Sequence, residues 1–354
     1  MSKMTINTPK GKRTIGQGSP VFIIAEMSGN HRHDFKKALK IIDAAARAGA
    51  DAIKLQTYTP DTITMNSDKP EFQIKVNKAW KGQTLYSLYK KSYTPWDWQP
   101  KLKKYAESKG LVCFSTPFDP TAVDFLEKMS VPLYKVASFE VVDIPLLKKI
   151  GATKKPVIIS RGMSSLSELK LAVNTLCNAG CPSFAILHCI SSYPAEYSEM
   201  NLKTIPDLAK KFKTVVGISD HSQGVLVPVT AVTLDASIIE KHLILTKKDG
   251  GPDAAFSLGE DEFTEMVRAV RNSEAAMGKP SYGIGTKESE NIIFRKSLFV
   301  TEDIKKGERF TSLNIRSIRP NHGLAPKYMD IILGKRATRN IEKATPLNWK
   351  LIEK

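Results

Sequence analysis

The chain has 354 residues, with 53 Lys and Arg against 36 Asp and Glu, which gives a formal net charge of +17. Its 42% hydrophobic and 25% charged residues match a globular protein with a sizeable core, which excludes a largely disordered chain. No apolar run approaches the roughly 18 residues that span a bilayer, and the N-terminal segment lacks the apolar stretch of a secretory signal, so we expect a cytoplasmic protein with no membrane partner.

Eight short apolar runs in the first two thirds of the chain predict eight β-strands. Each run is rich in Val, Ile and Leu without strict alternation, which is typical of parallel strands buried on both faces. The stretches between them have the period of amphipathic helices, as in residues 35–49 and 167–180, and both of these end in Gly, a common helix stop. The eight runs span 21–27, 51–56, 111–117, 133–138, 156–162, 183–189, 214–220 and 237–243.

Eight strands that alternate with helices over about 250 residues are typical of a (β/α)8 barrel, so the predicted fold class is α/β with a TIM barrel. A doubly wound dinucleotide-binding sheet is the alternative, but the first turn after a strand lacks GxGxxG.

The connection after the second strand, 57–95, is long and aromatic, as in an active-site lid or an interface arm. Turn residues then mark a linker and a small second domain of short segments. The predicted division is a catalytic domain at 1–280, a linker at 281–290 and a second domain at 291–354.

The polar residues of the predicted strands fall at their C-terminal ends. In a barrel all of these ends gather on one face, where active sites lie. One strand that ends in a charged residue is ordinary, and these residues could instead cap helices or line the rim. Polar residues at the C-terminal ends of all eight strands favour a site. In chain order they are Glu26, Lys54, Gln56, Ser115, Thr116, Lys135, Ser138, Ser160, Arg161, His188, Ser219, Asp220, His221, Glu240, Lys241 and His242.

Two histidines, His221 and His242, close the last two predicted strands, so their side chains could meet above the barrel. Two neutral imidazoles suit a divalent transition metal. A third ligand could be water or a carboxylate such as Glu26, because the first strand follows the last one around a closed barrel. The alternative is that either histidine is a packing residue.

Two lysines and two serines, Lys54, Lys135, Ser160 and Ser219, would form a cationic pocket rich in hydroxyl groups. Such a pocket suits a phosphate or a carboxylate, which needs positive charge and several donors. Each lysine could instead extend to the surface, but both lie in apolar strands, where an unpaired ammonium is costly. The residues alone therefore predict a metal-assisted barrel enzyme that acts on an anionic phosphorylated substrate.

The positive charge by itself would also fit a protein that binds nucleic acid. The chain has no block of five or six like charges and no recognised nucleic-acid motif, so we interpret most of the charge as solvated surface and predict no nucleic-acid partner. A barrel without catalysis, whose basic C-terminal segment contacts nucleic acid, is the alternative.

The motifs that contain these residues resemble the sialic acid synthase family, the phosphoenolpyruvate-condensing enzymes of nonulosonic acid biosynthesis. The C-terminal segment 291–354 resembles the SAF domain, which is similar to type III antifreeze proteins. Within the family, residues 94–98, 136–147, 189–195 and 250–258 look most like the pseudaminic acid branch, with the N-acetylneuraminate and legionaminate branches as alternatives. The motifs are IIAEMSGNH (23–31), GADAIKLQT (49–57), FSTPFD (114–119), YKVASFE (134–140), LHCISSYPA (187–195), GISDHS (217–222), IIEKH (238–242) and GGPDAAFSL (250–258).

This resemblance implies an enzyme that condenses phosphoenolpyruvate with open-chain 2,4-diacetamido-2,4,6-trideoxy-L-altrose and releases phosphate by C–O cleavage. It implies that His221 and His242 hold Mn²⁺ or Mg²⁺ and that Glu26 is the acid/base. The sugar would be contacted by Gln56, Tyr193 and Asp253, and by Arg319 from the partner subunit of a domain-swapped homodimer. Phosphoenolpyruvate would be held by Lys54, Thr116, Lys135, Ser138, Ser160, Ser191 and Ser219.

Two positions depart from the family pattern. Ser191 stands where sialic acid synthases carry Asn, and Arg161 stands where the family usually has Thr before Gly-Met. The Arg161 guanidinium could add to the anion pocket or point outward. A keto-deoxy-octulosonate synthase, which has a related barrel, is a further alternative, but the SAF-like segment argues against it.

Overall fold

The structure, a computed structural model, describes residues 3–76 and 80–354. Over these residues an N-terminal antiparallel hairpin of β1 (Lys3–Thr8) and β2 (Gly11–Gly16) precedes a closed barrel of eight parallel strands. Each barrel strand pairs with the next along the chain and the last pairs with the first, so the predicted (β/α)8 fold is confirmed. The barrel strands are β3 (Phe22–Glu26), β4 (Ala52–Thr57), β5 (Val112–Pro117), β6 (Tyr134–Val136), β7 (Val157–Ser160), β8 (Phe184–Cys189), β9 (Val215–Asp220) and β10 (Ile238–His242).

Helices connect the strands and cover the outside of the barrel, and they begin where the sequence supplies a capping side chain. Asp34 accepts a hydrogen bond from the Lys37 N–H at the start of the first long helix, and Ser165 and Glu168 form a reciprocal capping box at the start of another. No helix in the described residues is long and apolar enough to cross a membrane. The helices are α1 (Phe35–Arg47), α2 (Pro60–Ile63), α3 (Leu85–Ser92), α4 (Gln99–Ser108), α5 (Pro120–Lys128), α6 (Ile144–Ala152), α7 (Leu166–Asn178), α8 (Thr204–Phe212), α9 (Leu226–Thr233) and α10 (Glu260–Met277).

The long connection predicted at 57–95 follows β4 and contains α2 and α3. It packs by aromatic contacts, with the Tyr58 ring edge-on to the rings of Tyr89 and Phe118. Residues 77–79 of this connection lie outside the described residues.

Side chains of each barrel strand alternate between the interior and the helices. In β4, Ile53 and Leu55 belong to the large core under the helices, whereas Ala52 belongs to the inner core that the hairpin residues Met4 and Ile6 also join. The inward face of the barrel is apolar where the strands begin, at the end that the hairpin covers. Because the side-chain period of a strand is two, the polar residue that follows each inner apolar residue by two positions also points inward.

The inner core is tight enough to require glycine at Gly217 of β9. A Cβ atom there would lie 2.2 Å from the Ile238 carbonyl oxygen and 2.8 Å from a methyl group of Leu187. Both neighbours belong to adjacent strands, so the backbone of β9 could not keep its place beside β10 with any larger residue. This close approach helps to set the separation of the two strands that carry the histidines.

The described chain divides into two compact units, Met1–Gly278 and Lys279–Lys354. In the second unit, β11 (Ser297–Val300) pairs antiparallel with β12 (Ile315–Ile318), and two short helices, α11 (Thr286–Ser289) and α12 (Met329–Ile332), accompany them. Its own core contains Leu298, Phe310 and Ile332. The predicted functional limits, 1–280, 281–290 and 291–354, stay a prediction, and α11 lies inside the predicted linker.

Candidate active site

The inward polar residues form a buried charged network across the mouth of the barrel. The Lys54 ammonium lies 2.6 Å from Glu26 Oε2 and 3.7 Å from Glu240 Oε1. The Lys135 ammonium lies 3.6 Å from the same Glu240 oxygen. All four side chains are at most 5% exposed. The cationic pocket predicted from the sequence therefore contains two lysines, but two carboxylates balance them.

Hydroxyl groups complete this network. Lys54 donates to Thr116 Oγ1 at 3.3 Å, and Lys135 donates to Ser160 Oγ at 2.6 Å. Ser219 donates to Glu240 Oε1 at 2.9 Å, while Glu240 Oε2 is buried without a hydrogen-bond partner among the described residues. The predicted phosphoenolpyruvate residues of β4, β5, β6, β7 and β9 therefore lie together, and a polar ligand would find several donors at one place.

Burial and charge shift the pKa values of this network in opposite directions. Burial raises the pKa of Glu26 to about 7, although the Lys54 ammonium opposes that shift. Burial also lowers the pKa of Lys135, against the pull of Glu240. At neutral pH Glu26 can therefore both hold and release a proton, which is what an acid/base group requires.

Two further hydroxyl groups, of Ser138 and Ser191, meet beside the network. Ser191 donates to Ser138 Oγ at 2.9 Å. The chain passes so close to them at Gly162 that a Cβ atom would lie 2.1 Å from the Ser138 Cβ, and the φ of Gly162 is +47°. This close approach and the positive φ require glycine at position 162, and the chain there holds both serines at the mouth.

The two predicted metal ligands, His221 and His242, face each other with ring centroids 5.4 Å apart. His221 Nδ1 donates to the Ile190 carbonyl oxygen at 3.0 Å, so its Nε2 carries the free lone pair. His242 Nδ1 is buried without a hydrogen-bond partner among the described residues. Burial lowers the pKa of His221 to about 4 and that of His242 well below its usual range. Both rings are therefore neutral at physiological pH, as metal-ligating imidazoles must be.

Glu26 does not join these histidines as a third protein ligand. Its Oε1 accepts from the Ser28 N–H and from Gln56, each at 3.1 Å, and its Oε2 is paired with Lys54. In the described part of the chain no group of three or more His, Cys, Asp or Glu could hold a metal ion. The remaining ligands of any ion at the histidine pair would therefore be water or substrate oxygens.

Of the predicted sugar-binding residues, Tyr193 packs against the histidine pair. The Tyr193 ring lies 4.5 Å from the ring of His221, and the Phe256 ring lies 4.9 Å from that of His242. Asp253 is buried and accepts a hydrogen bond from Ser28. Gln56 reaches the same region through its bond to Glu26. These residues form one wall beside the charged network.

Trp80, from the long connection, packs against this wall. Its indole N–H donates to the Pro252 carbonyl oxygen at 2.9 Å, and its ring lies 5.6 Å from that of Tyr193. The sequence places Glu240 among the polar strand ends but indicates no partner for it, and it gives no role to Trp80 or Phe256. In the structure Glu240 lies on the same strand face as His242, two residues earlier, and is the carboxylate near both Lys54 and Lys135.

Arg161 points away from the charged network. Its Nε donates to His188 Nδ1 at 3.3 Å and its Nη1 to the Ser164 carbonyl oxygen at 3.4 Å. His188 in turn donates from Nε2 to the Met200 carbonyl oxygen at 2.6 Å. The second of the two alternatives for Arg161 is therefore correct: it holds the loop after β7 rather than adding charge to the pocket.

Arg319 directly follows β12 in the C-terminal unit and is exposed. Its predicted contact with a sugar in the site of a partner subunit stays a prediction.

Burial also lowers the pKa of a third histidine, His31, to about 4. Its Nε2 donates to Thr94 and its Nδ1 accepts from the His33 N–H, so the neutral ring is fully bonded. The unfolded chain protonates this ring below its ordinary pKa of about 6.5, whereas the native chain resists until about 4. The stability that His31 contributes is therefore complete above pH 6.5 and is lost as the pH falls towards 4.

Between pH 7 and pH 4.5 the free energy of unfolding of the wild type should fall as the His31 contribution is lost. For His31→Gln we expect this fall to be about 2 kcal/mol smaller. Urea denaturation at a series of pH values measures this difference. His322→Gln, which replaces an exposed histidine, is the control and should follow the wild type. Equal losses in the His31 variant and the wild type would contradict the role of burial at this site.

Comparisons with known proteins agree with the geometry. The model of the NeuB family matches residues 41–282, and the SAF domain model matches residues 295–353. The pseudaminic acid synthase of Campylobacter jejuni is 45% identical over 322 residues, which cover 91% of this chain and 94% of that protein. The pseudaminic acid synthase of Helicobacter pylori is 40% identical, with 95% and 98% covered.

A solved structure supports the same assignment. The N-acetylneuraminic acid synthetase of Leptospira borgpetersenii superposes with a TM-score of 0.71 at 32% identity, over 82% of this chain and 95% of that one. The resemblance inferred from the motifs is confirmed: the chain belongs to the NeuB family and carries a C-terminal SAF domain.

Proposed function

We infer that the chain is a phosphoenolpyruvate-dependent synthase that condenses phosphoenolpyruvate with 2,4-diacetamido-2,4,6-trideoxy-L-altrose to give pseudaminic acid and phosphate. The observation that carries this inference is a buried pair of lysines beside two neutral histidines, in a chain 40–45% identical to pseudaminic acid synthases. Identity to the N,N'-diacetyllegionaminic acid synthases is lower, at 34–36%, and to the human N-acetylneuraminate-9-phosphate synthase it is 30%. The legionaminate and N-acetylneuraminate reactions are therefore less favoured.

The charged network supports a role in binding phosphoenolpyruvate. Two buried ammonium groups can bind the carboxylate and phosphate of this substrate by charge-assisted hydrogen bonds, which gain strength in a site shielded from water. The surrounding hydroxyl groups would supply further donors. The residues proposed to hold phosphoenolpyruvate are Lys54, Thr116, Lys135, Ser138, Ser160, Ser191 and Ser219.

The histidine pair fits a divalent cation, Mn²⁺ or Mg²⁺, held by His221 and His242. The fit rests on two neutral rings. His221 donates its Nδ1 proton to a carbonyl oxygen, and the Nδ1 of His242 is buried without a hydrogen-bond partner among the described residues. Such an ion, when bound, polarises the sugar aldehyde as a Lewis acid. Tyr193, Gln56 and Asp253 would then hold the sugar with its aldehyde towards the network.

The reaction requires one proton to be given and one to be taken. When C3 of the enolpyruvyl group attacks the aldehyde carbon, the aldehyde oxygen becomes a hydroxyl group and needs a proton. Water then adds at C2 and loses one proton. As the C2–O bond breaks, the phosphate leaves with the bridging oxygen and takes the proton of the new C2 hydroxyl group, which becomes the ketone. Glu26, whose pKa lies at about 7, could donate the first proton and accept the second, so it would end the cycle unchanged.

A comparison of sugars tests this function. The purified protein is supplied with phosphoenolpyruvate, Mn²⁺ and either the diacetamido altrose, N-acetylmannosamine or the acetamido sugar of the legionaminate branch. We expect phosphate release with the altrose, at a kcat/KM at least about tenfold above that for either competitor. No release with any of the three would refute the synthase, and faster release with a competitor would refute only the choice of sugar.

The Trp80 contact predicts a measurable effect on the sugar. Trp80→Phe removes the N–H bond to the carbonyl that precedes Asp253 and keeps the aromatic ring. Because a lost neutral hydrogen bond costs about 1 kcal/mol, we expect the KM of the sugar to rise about fivefold. The KM of phosphoenolpyruvate should not change. Steady-state kinetics with each substrate varied in turn measure both values.

Trp96→Phe is the matched control for this variant. Trp96 also donates its indole N–H to a backbone carbonyl, that of Tyr58, but its ring packs on Phe125. The control variant should keep both KM values. An equal change in the two variants would mean that Trp80 acts only through the packing of the connection.

We further propose that the protein forms a domain-swapped homodimer in which Arg319 of one protomer binds the sugar of its partner. Arg319→Ala should raise the KM of the sugar about tenfold or more, because a hydrogen bond from a charged group is worth about 1.5–3 kcal/mol. Arg316→Ala, which replaces an exposed residue of β12 itself, is the control. An unchanged sugar KM, or a monomer in analytical ultracentrifugation, would contradict this arrangement.

A further inference from the structure

A buried ion pair lies directly behind the two histidines. Asp220 precedes His221 and Lys241 precedes His242, and the two residues are opposite each other in the pairing of β9 with β10. The Lys241 ammonium lies 2.6 Å from Asp220 Oδ2, and both side chains are 0% exposed. Because neighbouring residues of a strand point to opposite faces, this pair lies outside the barrel wall while the histidines lie at its mouth.

Ser222 closes the pair into a ring of hydrogen bonds. The Ser222 N–H donates to Asp220 Oδ1 at 2.8 Å, and the Lys241 ammonium donates to the Ser222 carbonyl oxygen. The residues on both sides of His221 are therefore bound to the residue that precedes His242, Asp220 through its carboxylate and Ser222 through its carbonyl oxygen.

From this geometry we propose that Asp220 and Lys241 are positioning residues that set the separation and direction of the His221 and His242 rings, and thereby the affinity of the pair for a divalent cation. The proposal rests on the metal role given to these histidines in the proposed function. Neither Asp220 nor Lys241 would touch the cation or the substrate. They act through the backbone that carries the two ligands.

The energetics of buried ion pairs favour this role over a purely stabilising one. Removing two charges from water costs about as much as their attraction returns, and apolar residues of similar volume often serve the fold equally well. An apolar pair, however, has no directional bonds to the backbone at Ser222. Residues that hydrogen-bond to metal-ligating side chains typically change metal affinity by about 10–100-fold when they are replaced, and we expect residues that fix the backbone of two ligands to act within the same range.

The test replaces the pair with apolar residues of similar size. Asp220→Leu/Lys241→Met removes both charges together, so neither is left unpaired. We compare Mn²⁺ binding to the metal-free full chain, measured by electron paramagnetic resonance of free Mn²⁺, and thermal unfolding in the presence of a chelator. We expect a dissociation constant for Mn²⁺ about 10–100-fold higher than that of the wild type and an unfolding temperature close to it.

The matched control is Asp124→Leu/Lys149→Met, which removes an exposed ion pair with a 2.6 Å contact between α5 and α6. It should bind Mn²⁺ as the wild type does. If the double variant at 220 and 241 does not fold, Lys241→Arg keeps the charge but alters the bonding geometry, and it should also bind Mn²⁺ more weakly.

Three outcomes bear on the proposal. Weaker Mn²⁺ binding by a folded variant supports it. Unchanged Mn²⁺ binding by the folded double variant, or by Lys241→Arg, overturns it and leaves the proposed function intact. A wild-type chain that binds no Mn²⁺ overturns the metal role and this proposal together.

Discussion

Replacing either His221 or His242 by alanine is expected to lower kcat/KM for phosphate release about a thousandfold or more, while the fold survives. The two rings are neutral because burial lowers their pKa values, and no third protein ligand among the described residues could hold the ion in their place. Loss of the proposed ion would remove several kcal/mol of stabilisation of the charge that develops on the aldehyde oxygen. Steady-state phosphate release by each purified variant measures the effect.

Folding and metal dependence are checked separately for these variants. His322→Ala, at an exposed position of the C-terminal unit, is the control and should retain full activity. Thermal unfolding establishes that each alanine variant is folded. Full wild-type activity after exhaustive chelation, or an active alanine variant at either histidine, would contradict the metal role.

Replacing Lys135 by methionine is expected to raise the KM of phosphoenolpyruvate about a hundredfold and to leave the KM of the sugar unchanged. The ammonium is buried, donates to Ser160 and lies 3.6 Å from Glu240. Its loss removes one of two cationic partners of the anion, and a charged hydrogen bond is worth about 1.5–3 kcal/mol. It also leaves Glu240 with Lys54 as its remaining cationic neighbour, which disfavours the approach of a second anion.

Kinetics with each substrate varied in turn separate the two KM values for this variant. Lys155→Met, at a half-exposed lysine that pairs with Glu127 outside the barrel, is the control. Equal increases in both KM values would mean that Lys135 supports the site as a whole. An unchanged KM of phosphoenolpyruvate would remove Lys135 from the anion pocket.

The barrel itself could be predicted from the sequence because its strands are buried on both faces. Residues 21–27 and 237–243, for example, are apolar runs with no alternation, and they become β3 and β10, which close the barrel. The polar residues at strand ends could likewise be assigned to one face, because all parallel strands end on the same side. Lys54, Lys135 and both histidines lie at the mouth, as their positions at strand ends predict.

The sequence does not predict in the same way which residues of each strand point into the barrel and which point towards the helices. Ser160 and Arg161 are adjacent and both polar, yet Ser160 bonds to Lys135 inside while Arg161 bonds to His188 outside. A one-residue shift in a strand exchanges its two faces, and a fully apolar strand has no alternation that fixes them. For the same reason, the sequence does not distinguish Asp220 and Lys241, which lie outside the barrel wall, from the neighbouring residues at the mouth.

Contacts between distant segments were also beyond the sequence. Trp80 reaches the Pro252 carbonyl across 172 positions of the chain, and no local pattern indicates that bond. The net charge of +17 does not predict the composition of the site. Inside the barrel, Lys54 and Lys135 are balanced by Glu26 and Glu240, so the surplus positive charge lies elsewhere on the chain.

One isotope experiment tests most directly the central claim that this barrel condenses phosphoenolpyruvate by C–O cleavage. The wild-type protein is given the diacetamido altrose, Mn²⁺ and phosphoenolpyruvate labelled with ¹⁸O at the oxygen that bridges C2 and phosphorus. Mass spectrometry of both products follows the label. We expect the phosphate to carry the ¹⁸O and the nine-carbon sugar acid to carry none. A labelled sugar acid with unlabelled phosphate, or no sugar acid at all, would contradict it.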